Sequence, residues 1–313
     1  MSEKRLGGMF GEAATLESKF GNDRVFNTPI QEAFIIGSTA GLSAIGVKPI
    51  VEIQFADYLY PGMNQLITEV SKSCYLSNGK FPIRTLIRIP VGTSIGGGPY
   101  HSGCIESLLL TIKGIKVVYP SNAADIKGLM KAAFIDPNPV IMLEHKGLYR
   151  SKIPGTQDAI MVEPDADYVL PLGKANLVLQ TENPECVTII TYGLGVYWAK
   201  EAAQLFKDKV EIIDLRTLYP LDESLIFKAV KRSGRCLLLS EASVENSFIQ
   251  ALAGRIQKFC FEYLKAPIYT VGALNVPGLP VNIGLENAVL PDILKISEGI
   301  NDLLTYSKQK EFI

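Results

Sequence analysis

The sequence predicts an α/β protein of two doubly wound domains. Two observations carry that expectation: short β-branched runs alternate with helical patterns along most of the chain, and the alternation fails once, near the middle. Strands joined by helical crossovers make mostly parallel sheets, so each half is expected to be a strand-helix series of its own. With 313 residues, 47% of them hydrophobic, the chain can bury two cores.

In the first half, buried strands are expected at 49–55, 84–89, 115–119 and 140–144. Helical patterns fall around and between them, at 31–46, 62–78, 104–112 and 122–135, and Pro120-Ser121-Asn122 supplies a turn and a cap for the last. Turn formers and charge without a sustained period fill 151–168, which reads as the linker between a domain at 1–150 and another at 169–313. The second domain is expected to hold strands at 188–192, 210–214, 236–240 and 268–271. Helices at 195–208, 222–233 and 245–264 separate them, and a helix over 291–307 closes the chain. The chain opens on Gly7-Gly8 and half a helix with no strand ahead of them, so the first domain reads as N-terminally incomplete.

A net charge of -1 gives no basic field for nucleic acid or anionic lipid. No apolar run approaches the roughly 20 residues of a membrane span, and the first residues lack the apolar core of a signal peptide. Five cysteines without a Cys-x-x-Cys pair read as free core thiols of a reducing compartment, so a cytoplasmic protein with small-molecule or protein partners is expected.

Histidine is scarce, and any imidazole chemistry must use His101 or His145. His101 follows three glycines in Gly96-Gly97-Gly98-Pro99-Tyr100-His101, a loop free to approach a ligand. His145 sits at a strand end and reads as a structural ring. The glycines lack the Lys-Ser/Thr of a phosphate loop, and Ser102 lies in no Gly-x-Ser-x-Gly elbow, so phosphate binding and serine hydrolysis are weak readings. Glu32 opens an apolar helix, where the helix dipole alone would favour a carboxylate. In that helix Gly37 and Gly41 bare one face, which suggests a close helix-helix contact, possible between subunits.

Five blocks in order give these residues a context: 23–32, 51–58, 100–102, 119–129 and 143–150 together resemble the beta chain of thiamine-diphosphate-dependent 2-oxo acid dehydrogenases. The stretch 213–222 resembles the second domain of that family. The resemblance implies a thiamine-diphosphate pyrimidine-binding-like domain followed by a transketolase C-terminal-like domain. It implies Glu32 as the carboxyl group at the aminopyrimidine nitrogen, a type of acid-base help that contributes typically about 10²–10⁴-fold. Tyr58 matches the aromatic residue stacked on the pyrimidine, Ile30 its apolar neighbour and Gln54 a residue facing the substrate. His101 matches the loop histidine that steers the 2-oxo acid and handles a proton as the acyl group passes to lipoamide. A monovalent cation such as K⁺, held mainly by carbonyls, is implied at Ile83, Thr85 and Leu86 with Ala133, Asp136 and Asn138.

The same resemblance implies partners. The Gly-Asp-Gly and Asn-Asn signature of the Mg²⁺ site appears nowhere in this chain, so an alpha-type chain, or an alpha half fused upstream, is expected to supply it. A heterotetramer is implied, with a second beta chain meeting the Gly37/Gly41 helix and a lipoyl acyltransferase core receiving the product. The blocks around Asn27 and Ile53 look closer to branched-chain than to pyruvate enzymes. Transketolase-like and deoxyxylulose-phosphate synthase enzymes share the domain order but carry the diphosphate motif in the same chain. A non-catalytic docking subunit for the acyltransferase is the alternative from another class.

Overall fold

The computed structural model describes residues 7–94 and 96–307. Its first sheet contains β1 (Ile50–Glu52), β2 (Leu86–Val91), β3 (Lys116–Val118) and β4 (Val140–His145). The second half contributes β5 (Asn176–Leu179), β6 (Val187–Thr191), β7 (Val210–Asp214), β8 (Thr217–Tyr219), β9 (Cys236–Ser243) and β10 (Tyr269–Ala273). The orders are β1-β2-β4-β3-β8 and β10-β9-β6-β7-β5. All pairings are parallel except at one edge of each sheet, where β8 runs against β3 and β5 against β7.

Most of the expected strands are buried, but β1, expected as a buried strand over 49–55, is a short, half-exposed edge strand, and β10 at the edge of the second sheet is half-buried. Every residue of β4, β6 and β7 is buried, as a parallel sheet covered by helices requires. Two strands escaped the sequence reading. β5 is a half-exposed edge strand, and β8 is three residues long and pairs with Val117 and Val118 of the other half. The halves share a core, in which Ile87 and Ile89 of the first half belong to the same buried cluster as Ile213 and Leu238 of the second. Polar contacts reinforce the junction: the Arg216 guanidinium grips both oxygens of buried Asp125 at 2.7 and 2.8 Å, and the Ser121 hydroxyl donates to Asp214. Asn122 caps helix Ala123–Ile135 through Asp125 N, the cap expected from Pro120-Ser121-Asn122.

The long helix expected over 62–78 is broken into a 3₁₀ turn at Tyr60–Gly62, one α turn, a π turn at Leu66–Val70 and a short helix at Ser73–Leu76. Pro61 starts that break, and Gly62 is pressed so closely on the Glu32 carbonyl that an added Cβ would lie 2.9 Å from it. The helix expected over 104–112 forms only at Glu106–Leu110. After β1 the chain leaves the sheet and turns at Ala56–Tyr58, while β2 runs into the loop that carries His101. Both segments therefore lie beyond the carboxyl ends of parallel strands, where open α/β sheets leave a crevice for ligands.

Candidate active site

Two of the residues singled out from sequence meet directly. The Tyr58 hydroxyl lies 3.0 Å from His101 Nε2, and the Phe55 ring stands edge-on to both, with centroids 5.7 and 4.6 Å away. Phe55 had no chemical signal in the sequence; its packing restricts both polar rings. The loop bearing His101 closes on itself, with Gly92 N donating to Gly103 O at 3.3 Å. Asp57, one residue before Tyr58, accepts from Gly103 N at 2.9 Å. Gly92 has φ +96° and a Cβ there would overlap the His145 imidazole, so a glycine is required where the loop leaves β2.

Glu32 is the first residue of helix Glu32–Ala44, and Gln31 at the cap position provides no side-chain bond to it. The Glu32 carboxyl makes no hydrogen bond or ion pair within 4.0 Å among the described residues. Its backbone, however, backs onto Gly62, so the helix start and the two turns of 56–62 form one packed unit. Ile30 is 76% exposed ahead of that helix. Gln54 is half-buried, and its Oε1 is closed off from solvent without a hydrogen-bond donor. Glu32, Ile30 and Gln54 thus have unmet capacity for contact, whereas Tyr58 and His101 already hold one another.

The paired-glycine face divides in two. Gly37 packs on the Gln65 side chain of the same chain, whereas Gly41 has open space around it. The helix-helix contact expected at both positions is therefore taken up internally at the first, leaving only Gly41 bare.

His145 is buried, with Nε2 3.0 Å from Glu241 Oε1. Glu241 also accepts from the amide and the hydroxyl of Thr93. Burial opposes its charge, but the imidazole and these donors outweigh burial and hold the carboxyl at about 2. Ser94 N donates to Glu286 Oε1 at 2.9 Å. Neither glutamate was singled out from sequence; a charged residue ending the apolar run of β9 was the available signal for Glu241.

Ile83, Thr85, Leu86 and Ala133 are buried, and Asp136 follows the end of helix Ala123–Ile135. The Asp136 carboxylate is paired with Lys116 and accepts from Asn138 N and Nδ2, and Thr85 O accepts from Val140 N. Among the described residues no cluster of three His, Cys, Asp or Glu could hold a metal ion. No helix is long and apolar enough to cross a membrane among them either.

Comparison with known proteins agrees with the architecture. Residues 1–152 match the transketolase pyrimidine binding domain and 173–296 the transketolase C-terminal domain. The 2-oxoisovalerate dehydrogenase subunit beta of Bacillus subtilis (strain 168) is 37% identical over 305 residues, covering 96% of this chain and 90% of that protein. Its Pseudomonas aeruginosa counterpart is 40% identical over 87% of this chain and 79% of that protein. The pyruvate dehydrogenase E1 component subunit beta of Acholeplasma laidlawii is 38% identical over 83% of this chain and 77% of its own length. A split-gene transketolase solved as an inactive beta4 tetramer superposes with a TM-score of 0.72 at 19% identity, over 96% of this chain and 90% of that one, a likeness of fold. Identity of this level over nearly the whole length, with both domain types present in order, makes the chain a member of the 2-oxo acid dehydrogenase beta-subunit family.

Proposed function

We propose that this chain works with an alpha-type partner to decarboxylate a branched-chain 2-oxo acid on thiamine diphosphate and to pass the acyl group to lipoamide. The observation that carries the reading is the Tyr58–His101 contact at 3.0 Å, beyond the carboxyl ends of β1 and β2, with Tyr58 in the same packed unit as Glu32, a carboxyl that has no partner among the described residues. The residues fit the pyrimidine end of the cofactor. Glu32 is a carboxyl without a partner among the described residues, Ile30 is an uncovered apolar side chain, and Gln54 Oε1 is a closed-off acceptor awaiting a donor.

Bound thiamine diphosphate supplies the nucleophilic carbon and the electron sink for decarboxylation. Glu32 holds a proton at the pyrimidine ring nitrogen, and Tyr58 stacks against the ring with Ile30 beside it. Gln54 faces the substrate. His101, its ring plane set by Tyr58 and Phe55, orients the 2-oxo acid and moves a proton as the acyl group leaves for lipoamide. Mg²⁺ and the diphosphate belong to the partner's contribution. A monovalent cation at the carbonyls of Ile83, Thr85, Leu86 and Ala133, with Asp136 and Asn138, would brace the first domain. Residues 1–150, 151–168 and 169–313 serve as pyrimidine-binding domain, linker and C-terminal domain.

The test is to mix the chain with an alpha-type partner and follow dye reduction driven by 2-oxoisovalerate and by pyruvate. Activity that requires both chains, prefers 2-oxoisovalerate and disappears in Glu32→Ala supports the reading. Preference for pyruvate would change the substrate, and assembly with activity indifferent to Glu32→Ala would reject the catalytic assignment in favour of a docking role.

A further inference from the structure

The loop from Gly92 to Gly103 is held at its two ends by different halves of the chain. At the far end the first half provides Asp57, bonded to Gly103 N. At the near end the donors of Thr93 and Ser94 go to carboxylates of the second half, Glu241 and Glu286. These carboxylates are 4% and 0% exposed, so the bonds are made away from water, where a charged acceptor holds an amide strongly. Ser94 takes φ +63°, a conformation that side-chain-bearing residues rarely adopt. The bond to Glu286 is made by the amide of this strained residue. The loop's middle also rests on the second half: Gly98 meets Val281, and Pro99 meets Gly278. On the other side, Lys146 donates to the Gly92 carbonyl, and His145 fixes Glu241 from below.

We propose that Glu241 and Glu286 are positioning residues by which the second domain sets the height and angle of the His101 loop, so that acyl transfer depends on how the two domains are seated. The proposal rests on the role given to His101 above. Each carboxylate has one oxygen engaged by the loop and one, Oε2, buried without a partner. Full satisfaction of the cluster therefore needs a further donor, such as an ordered water, and the loop bonds are the ones already made.

The test compares Glu286→Ala, Glu286→Gln and Glu241→Gln, first by amide hydrogen exchange on the folded chain without partner or cofactor. Glu286→Ala is expected to speed exchange at Ser94 and through the loop to His101 by about tenfold, and Glu286→Gln, which keeps an acceptor oxygen, to restore most of the protection. Glu241→Gln, lacking the charge, is expected to loosen Thr93 in the same sense. Should one variant fail to fold, the other position still reports. Exchange equal to wild type in every folded variant overturns the clamp, whatever the chain's activity. In the assembled enzyme the lipoamide-dependent rate is then expected to fall more than the dye-dependent rate in Glu286→Ala, with rescue in Glu286→Gln. A loosened loop with both rates unchanged, together with an unaffected His101→Ala, would overturn the role of His101 while leaving the clamp standing.

Discussion

The rim around Glu32 and the junction around Glu241 use the same chemical group in opposite ways. At the rim, the Glu32 carboxyl has no partner among the described residues, and Ile30, Phe34 and Tyr100 stand exposed around helix Glu32–Ala44 and the loop. At the junction, Glu106, Glu241 and Glu286 are all buried, and each accepts from a named donor: the Tyr192 hydroxyl, the Thr93 and His145 groups, and the Ser94 amide. A buried carboxylate without donors would be expelled or neutralised, so at the junction one oxygen of each glutamate is met from within the chain, while its Oε2 stays buried and unpartnered. The rim is under no such demand. Its unsatisfied groups are available to a ligand or a partner chain, and the contrast separates the residues that build the loop from those that use it.

The sharpest way to break that contrast is to exchange its consequences. Under the proposed role, Glu32→Ala is expected to lower the activity of the assembled enzyme by about 10²–10⁴-fold. It should change the melting temperature of the isolated chain little, since the carboxyl makes no hydrogen bond or ion pair among the described residues and only its favourable place at the helix start is lost. Glu241→Ala is expected to do the reverse in kind. It strands the His145 and Thr93 donors in a closed interior and should cost about 3–5 kcal/mol of stability, measured by denaturant unfolding. A Glu32 variant that melts early, or a Glu241 variant that does not, would erase the distinction.

A middle-sized effect comes from pH. Burial pushes Glu106 up from 4.5 to about 7, against its own backbone amide and the Tyr192 hydroxyl, and Asp214 rises from 3.8 to about 7 for the same first cause. A carboxyl raised on folding gives stability that is fully present below its unfolded value and lost as pH climbs through the folded one. Glu106 and Asp214 therefore weaken the fold as pH rises from about 4 toward 7. Glu241, held at about 2, works the other way, its contribution present above 4.5 and lost as pH falls toward 2. Each group changes stability by up to about 1.4 kcal/mol per pH unit within its window. Glu106→Gln is expected to flatten the decline between about pH 4.5 and 7 and to leave the acid limb alone. An unchanged upper limb would remove Glu106 from the account.

The same contrast explains what the sequence made legible. β6, β7 and the apolar first part of β9 announced themselves as short β-branched or apolar runs, because a strand covered on both faces shows little polar side even where, as at Thr188 and Glu211, a polar residue interrupts it. β8 did not, because its only ladder is to Val117 and Val118 in the other half, and three residues carry no period. The 62–78 segment had helical spacing, but a close approach of Gly62 to Glu32 O cuts the helix, and that approach is a tertiary fact. At the site, His101 was visible through its rarity and its glycines, and Tyr58 and Glu32 through the resemblance of the blocks around them. Phe55, Glu241 and Glu286 were not, since an aromatic in a strand-like run or an acid near its end does not say which loop it will meet.

The smallest expected effect is the finest probe of the rim. Tyr58→Phe keeps the ring proposed to stack on the cofactor and keeps its edge-on contact with Phe55, and it deletes only the hydroxyl 3.0 Å from His101 Nε2. A neutral hydrogen bond of this type is worth about 0.5–1.5 kcal/mol, so the lipoamide-dependent rate should fall only a few-fold. Cofactor affinity, which depends on the ring, should hold. A Phe variant that instead loses cofactor would mean that the hydroxyl serves the ring's placement, and the division between stacking by Tyr58 and proton handling by His101 would have to be redrawn.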